Sequence, residues 1–268
     1  MVNTILLLGI HRSGNHGVIN WLIGNLSGKI THINALHHDN LLPELFFSNS
    51  NEKVDSDETI IKDGINYSER EWINFHDSDW LIISMESVRI SRMKKQIETF
   101  VNQTQCKSIL LLRDPLNNAA SMFKIRMSRG HDFNSTKSSV GSVLTCWNEH
   151  ASEMVNEKKL WSSKILFNLW NKDRKFRDEI MADLNLENTD INFGKISGHG
   201  KSSFDQKVKD ARLLNLDGRY LEMMGNDDFL TIMEEFEINP NLWTEICKYF
   251  SYDPLDDYSE SILKLTKK

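Results

Sequence analysis

The sequence is poor in several features that would place a chain in a well-marked class. Its three cysteines, Cys106, Cys146 and Cys247, are far apart, odd in number and without C-x-x-C spacing. That excludes a disulfide framework and fits reduced core residues in a cytoplasmic protein. No long apolar run stands at the start of the chain. Ile5-Leu6-Leu7-Leu8 is too short to span a bilayer, has no basic flank and is soon followed by His11-Arg12, so it reads as a buried strand and not as a leader or membrane span. Positive charge is not in excess either. Lys and Arg number 32 against 38 Asp and Glu, a net charge of −6, which argues against a nucleic-acid or anionic-membrane binder and makes any anion site a local one. The nine histidines lack metal-ligand spacing such as H-E-x-x-H, and adjacent residues such as His37 and His38 point to opposite faces of a strand. No metal site is expected, and neither an internal repeat nor a low-complexity linker is visible.

What is present is ordinary globular material. With 40% hydrophobic and 26% charged residues, the 268 positions can bury the core of one large α/β domain. The first half alternates short apolar runs with helical patterns, the mark of a parallel sheet flanked by helices. Strands are expected over Thr4–Leu8, Ile30–Leu36, Trp80–Met85 and Ser108–Leu112, with helices over Asn15–Leu26, near Ser91–Asn102 and across Asn117–Met127. The stretch Asp39–Asp79 is polar and irregular, with Phe46, Phe47 and Trp72 as its anchors, and a segment that long between strands is often functional. Ile165, Leu166, Leu169, Trp170, Phe176, Ile180 and Leu184 fit one helix with a break, and further helices are expected near Asp227–Phe236 and Leu242–Phe250. The fold class is therefore three-layer α/β/α, P-loop-like, with a parallel central sheet and a helical C-terminal half. We expect one domain over 1–268, its sheet core in 1–130 and a mainly helical completion in 131–268.

Two strand-to-helix junctions carry chemistry. In the first, Gly9-Ile10-His11-Arg12-Ser13-Gly14-Asn15-His16 lies where backbone N–H groups and a helix N-terminus jointly hold an anion. Its glycines are spaced as in G-x-x-x-x-G-K-[ST], but Asn15 and His16 replace the Lys and the Ser/Thr. The phosphate-reaching amine and the usual Mg²⁺ ligand are thus missing. Arg12 instead puts a guanidinium where a transferred group would lie. Sulfuryl carries less negative charge than phosphoryl, so one guanidinium with backbone amides can serve it without a metal. The plain alternative is a Gly-containing turn with an exposed arginine.

In the second junction, Leu110-Leu111-Leu112-Arg113-Asp114-Pro115 ends a buried strand, and Pro115 suits the first turn of the next helix. Ser121 lies eight residues beyond Arg113, one to two turns into that helix. Both side chains can converge on one phosphate at the strand's carboxyl end, where open α/β sheets bind ligands. Asp114 has an alternative role as a helix cap.

With both motifs in order, the chain resembles the family of sulfotransferases that use 3′-phosphoadenosine 5′-phosphosulfate (PAPS). Gly9, Arg12, Ser13 and Gly14 match that family's 5′-phosphosulfate loop, G-x-x-[RK]-[ST]-G. Arg113, Asp114, Pro115 and Ser121 match its R-[DE]-P strand end with a serine eight residues after the arginine. A weaker match is the Gly-rich stretch around Gly198 and Lys201, where the family has a late loop over the 3′-phosphate; its R-K-G-x-x-G form is absent here. The resemblance implies PAPS as donor, adenosine 3′,5′-bisphosphate as product, in-line displacement at sulfur and a hydroxyl acceptor that the sequence does not name. It implies donor contacts from His11, Arg12, Ser13, Gly14, Asn15, His16, Arg113, Ser121, Gly198 and Lys201, with Arg12 also stabilising charge at the bridging oxygen.

Related enzymes place a Glu or His base at the end of the second or third strand. Glu86 is the first candidate, because an isolated carboxylate at the carboxyl end of a buried strand is desolvated. Capping or an ion pair with Arg89 is its plain alternative. His37 and His38 come second, while His16 suits orienting the phosphosulfate. The tryptophans Trp21, Trp147, Trp161 and Trp170 read as core. The competing functions are a P-loop kinase-like phosphotransferase using Mg-ATP, a non-catalytic nucleotide-binding module, and a structural α/β protein without nucleotide.

Overall fold

The computed structural model describes residues 2–34, 58–61, 65–67, 78–156, 160–194, 204, 208, 210–236, 238–254 and 261. Strands are β1 (Asn3–Gly9), β2 (Ile30–Asn34), β3 (Glu58–Ile61), β4 (Ile65–Tyr67), β5 (Trp80–Glu86), β6 (Lys107–Leu112) and β7 (Ser163–Leu166). Helices are α1 (Asn15–Asn25), α2 (Ile90–Thr104), α3 (Pro115–Ser128), α4 (Phe133–Val155), α5 (Phe167–Lys172), α6 (Arg174–Asp183), α7 (Asp227–Glu235) and α8 (Pro240–Tyr249).

The strands form one sheet in the order β4-β3-β2-β5-β1-β6-β7. From β2 to β7 all pairs are parallel, while β3 and β4 add an antiparallel edge. Parallel strands covered on both faces need apolar side chains throughout, and β1 meets this with Ile5, Leu6, Leu7 and Leu8 all fully buried. Alternation divides them. Leu6 and Leu8 join a core with Leu81, Ile83, Leu110, Leu112 and helices α2, α3, α4, α7 and α8. Ile5 and Leu7 join another with Ile82, Ile109, Leu111, Ile165 and helices α1, α5 and α6. The three layers expected from the alternating pattern are these.

The chain leaves β1 through α1 on one face toward β2, and leaves the neighbouring strand β6 through α3 and α4 on the other face toward β7. The topological switch point, where doubly wound sheets form a ligand crevice, therefore lies between β1 and β6. Both sequence motifs follow these two strands.

Two expectations are corrected. Ile165 and Leu166 belong to β7, not to a helix, so the second half also supplies a strand. The apolar spacing misleads because β7 runs straight into α5, with Leu166 itself as the N-cap residue. The expected break is at Asp173, whose side chain accepts from the Lys175 N–H and starts α6. Within Asp39–Asp79, residues 58–61 and 65–67 are strands; Phe46, Phe47 and Trp72 lie outside the described residues, as do 35 and 36 of the second expected strand. The four tryptophans named above are buried, and so are Cys106 and Cys146, with Cys247 half-buried.

Candidate functional site

Loop 10–14 is folded by its own side chains. The buried Ser13 hydroxyl donates to the Ile10 carbonyl at 2.7 Å and accepts the Ile10 N–H at 3.2 Å, while the Ser13 N–H closes the turn onto the same carbonyl at 3.0 Å. Arg12 and Gly14 have positive φ, 69° and 98°. At Gly14 this favours glycine on conformational grounds, and space demands it as well, since a Cβ there would lie 2.1 Å from the Phe167 ring. Helix α1 begins without a side-chain cap, which leaves its first-turn N–H groups at the crevice.

Register explains what the loop meets. Gly9 pairs with Glu86 across β1 and β5, so the residues after each strand face one another. Asn15 donates through Nδ2 to Glu86 Oε1 at 2.6 Å and to the Ile10 carbonyl at 3.1 Å. His11 Nε2 lies 3.1 Å from Glu86 Oε2, and His11 Nδ1 lies 2.7 Å from the Ser87 hydroxyl. Glu86 is thus not isolated: its two oxygens are engaged by two loop residues. Arg89 pairs with Glu149 instead. Ser13 and Asn15, expected to touch the donor, turn their side chains into the protein and shape the loop.

Arg12 reaches across the switch point, its Nε donating to Ser121 Oγ at 3.3 Å. Ser121 is fully buried on α3. Desolvation lowers the Arg12 pKa first, the like charges of Arg113 and Arg129 lower it further, and Glu86 opposes them. Three guanidinium groups therefore share one neighbourhood.

Arg113 is 1% exposed. It donates to the Leu216 carbonyl, stands 3.7 Å from Asp114 Oδ2 and lies 5.7 Å from the Phe167 ring centroid. Asp114 is a helix cap in fact, accepting from the Asn117 N–H at 2.8 Å, and its other oxygen accepts from Asn168 Nδ2 at 2.8 Å. Asn117 and Asn168 also hold Asp217, at 3.0 and 2.8 Å, and the Tyr220 N–H donates to Asn117 at 3.1 Å. Segment 215–220 is thereby strapped over Arg113, a contact no local pattern announces. Asn168, absent from the sequence reading, is the hub that links the R-D-P turn to this strap.

Arg12, Ser121, Arg113, His11 and Glu86 thus come together between the ends of β5, β1 and β6. His37, His38, Gly198 and Lys201 lie outside the described residues. Among the described residues no group of three or more His, Cys, Asp or Glu is placed to hold a metal ion, and no helix is long and apolar enough to cross a membrane.

The fold and crevice define a doubly wound α/β protein with a basic site at its switch point. No protein-family model matches the chain, and no curated protein or solved structure matches it.

Proposed function

We propose that this chain is a sulfotransferase that moves a sulfuryl group from PAPS to a hydroxyl acceptor. The observation that carries the reading is the meeting of Arg12 and Ser121 across the β1–β6 crevice, with Arg113 and Arg129 near enough to depress the Arg12 guanidinium. Arg113 is buried and Arg12 is desolvated, and like charges held together in such a place favour an anion between them. The α1 N-terminus adds backbone N–H groups and a favourable dipole for a 5′-phosphosulfate.

In this reading Arg12 neutralises charge that develops on the bridging oxygen as the S–O bond to the 5′-phosphate breaks. Ser121 and Arg113 orient the nucleotide through its 3′-phosphate. Because the Leu216 carbonyl already accepts a hydrogen bond from Arg113, the phosphate binds beside that contact or replaces it, and nucleotide binding is coupled to the 215–220 strap.

The test is calorimetry of adenosine 3′,5′-bisphosphate, adenosine 5′-monophosphate and ATP, with and without Mg²⁺, on wild type and Arg12→Ala. Metal-independent binding that needs the 3′-phosphate and weakens at least tenfold in the variant supports the reading. Preference for Mg-ATP turns it toward a kinase-like enzyme, and no nucleotide binding at all leaves a structural α/β protein.

A further inference from the structure

We propose that Ser87 is the residue that meets the acceptor hydroxyl and hands its proton to His11, with Glu86 holding the imidazolium that forms. The proposal rests on the sulfuryl-transfer reading and replaces Glu86 as the group that takes the proton.

Hydrogen-bond direction carries the argument. The His11 backbone N–H only donates, and it donates to Ser87 Oγ at 3.0 Å. Asn15 Nδ2 only donates, and it donates to Glu86 Oε1 at 2.6 Å. Glu86 Oε2 stands 3.1 Å from His11 Nε2, and a carboxylate oxygen at that distance favours the tautomer that carries the imidazole proton on Nε2. In neutral His11 the other nitrogen, Nδ1, is then the acceptor, and at 2.7 Å the Ser87 hydroxyl donates to it. The chain Ser87–His11–Glu86 thus has one direction throughout.

A hydroxyl has one proton and two lone pairs. Ser87 uses the proton on His11 Nδ1 and one lone pair on the His11 N–H, which leaves one lone pair to receive a donor from outside. Glu86 is poorly placed for that part, with both oxygens engaged and its side chain 15% exposed, against 49% for His11. Backbone conformation serves the same end. Ser87 directly follows β5 with φ 54°, in the left-handed region that non-glycine residues avoid, and its N–H is bound to the Gly9 carbonyl at 2.9 Å. That strained, anchored turn sets Oγ against His11 beside Arg12, and strain of this kind gathers at functional sites.

The step balances. As the acceptor oxygen bonds to sulfur, its proton passes to Ser87 Oγ while the Ser87 proton passes to His11 Nδ1. The bond from sulfur to the 5′-phosphate oxygen breaks, and its electron pair leaves with adenosine 3′,5′-bisphosphate. The imidazolium then carries both protons, its charge met by Glu86.

Release of sulfate from PAPS, with water as the acceptor, tests this on the full chain without knowledge of the natural acceptor. Wild type, Ser87→Ala, His11→Gln and Glu86→Gln are compared for turnover and for calorimetric binding of adenosine 3′,5′-bisphosphate. Nitrogen NMR of the His11 ring is recorded on wild type and Ser87→Ala. The relay requires at least a tenfold loss of kcat in Ser87→Ala and in His11→Gln, bisphosphate affinity in Ser87→Ala within twofold of wild type, and a wild-type ring protonated at Nε2. Unchanged turnover in Ser87→Ala, or a ring protonated at Nδ1, overturns it. A wild type that binds the bisphosphate but releases no sulfate overturns the relay and leaves the donor site standing. A wild type that binds no bisphosphate overturns the sulfotransferase reading itself.

Discussion

The guanidinium of Arg113, at the end of β6, donates to the backbone carbonyl of Leu216, 103 residues further along the chain. A motif arginine is thereby also a structural tie, buried against Asp114 and the Phe167 ring. Removing it strands an acceptor and weakens the partnership around Asp114.

Arg113→Ala is therefore expected to lose about 3 kcal/mol of folding stability, the usual scale for stripping one member from a buried charged network. Urea unfolding measures it directly. A loss below about 1 kcal/mol would mean that the strap holds without the arginine. Any loss of nucleotide affinity in this variant has to be read beside its stability.

Gly14→Ala is expected to cost about 2 kcal/mol or more, since it adds left-handed strain to a collision with Phe167. Gly130 makes a useful control. It too has positive φ, 77°, but an added Cβ would meet nothing within 4 Å, so Gly130→Ala should cost only about 1 kcal/mol. Equal thermal melting losses in the two variants would contradict the steric argument.

Two buried histidines predict a pH dependence. Burial pushes His32 down to about 3, with His16 adding to the effect, and pushes His150 down to about 4 against the Val88 carbonyl and the charges of Glu149 and Glu153. Both rings are neutral in the folded protein while an unfolded histidine still takes up a proton near pH 6.5. The unfolded state binds the extra protons, so this stability is complete above that pH and falls as pH drops toward the folded values. Each histidine contributes a slope of about 1.4 kcal/mol per pH unit in that window. Urea midpoints between pH 7 and about 4.5 should fall accordingly, and His150→Gln should remove one proton's share of the slope. An unchanged slope would show that His150 is not protonated on unfolding.

The strands that were legible are those buried on both faces. Trp80–Met85 and Ser108–Leu112 read as nearly continuous apolar runs because all their residues but Ser84 and Ser108 join one core or the other, and β5 and β6 extend them by one residue each. Helix α4, with 23 residues the longest among the described residues, has no local signal at its start. Its first turns, Phe133-Asn134-Ser135-Thr136, are polar enough to pass for a loop, although Asp132 caps them by accepting from the Ser135 N–H at 2.7 Å. Strand β7 was hidden by its fusion to α5. At the site, Arg12, Arg113, Asp114 and Ser121 were visible as motif residues, whereas Ser87 and Asn168 carried no signal, being ordinary residues beside a strand end and at a helix start.

By itself, the sequence determined that β1, β2, β5 and β6 are buried strands and that β1 and β6 each end in a polar, helix-starting loop. Local periodicity and turn chemistry suffice for that, because both act over a few residues. Only the tertiary structure decided that β1 lies between β5 and β6, so that Gly9 stands opposite Glu86 and Arg12 reaches Ser121. It also decided that residues 215–220 close over Arg113. Such pairings depend on strand order and register, which come from the packing of two whole cores and leave no mark on the neighbours of any one residue.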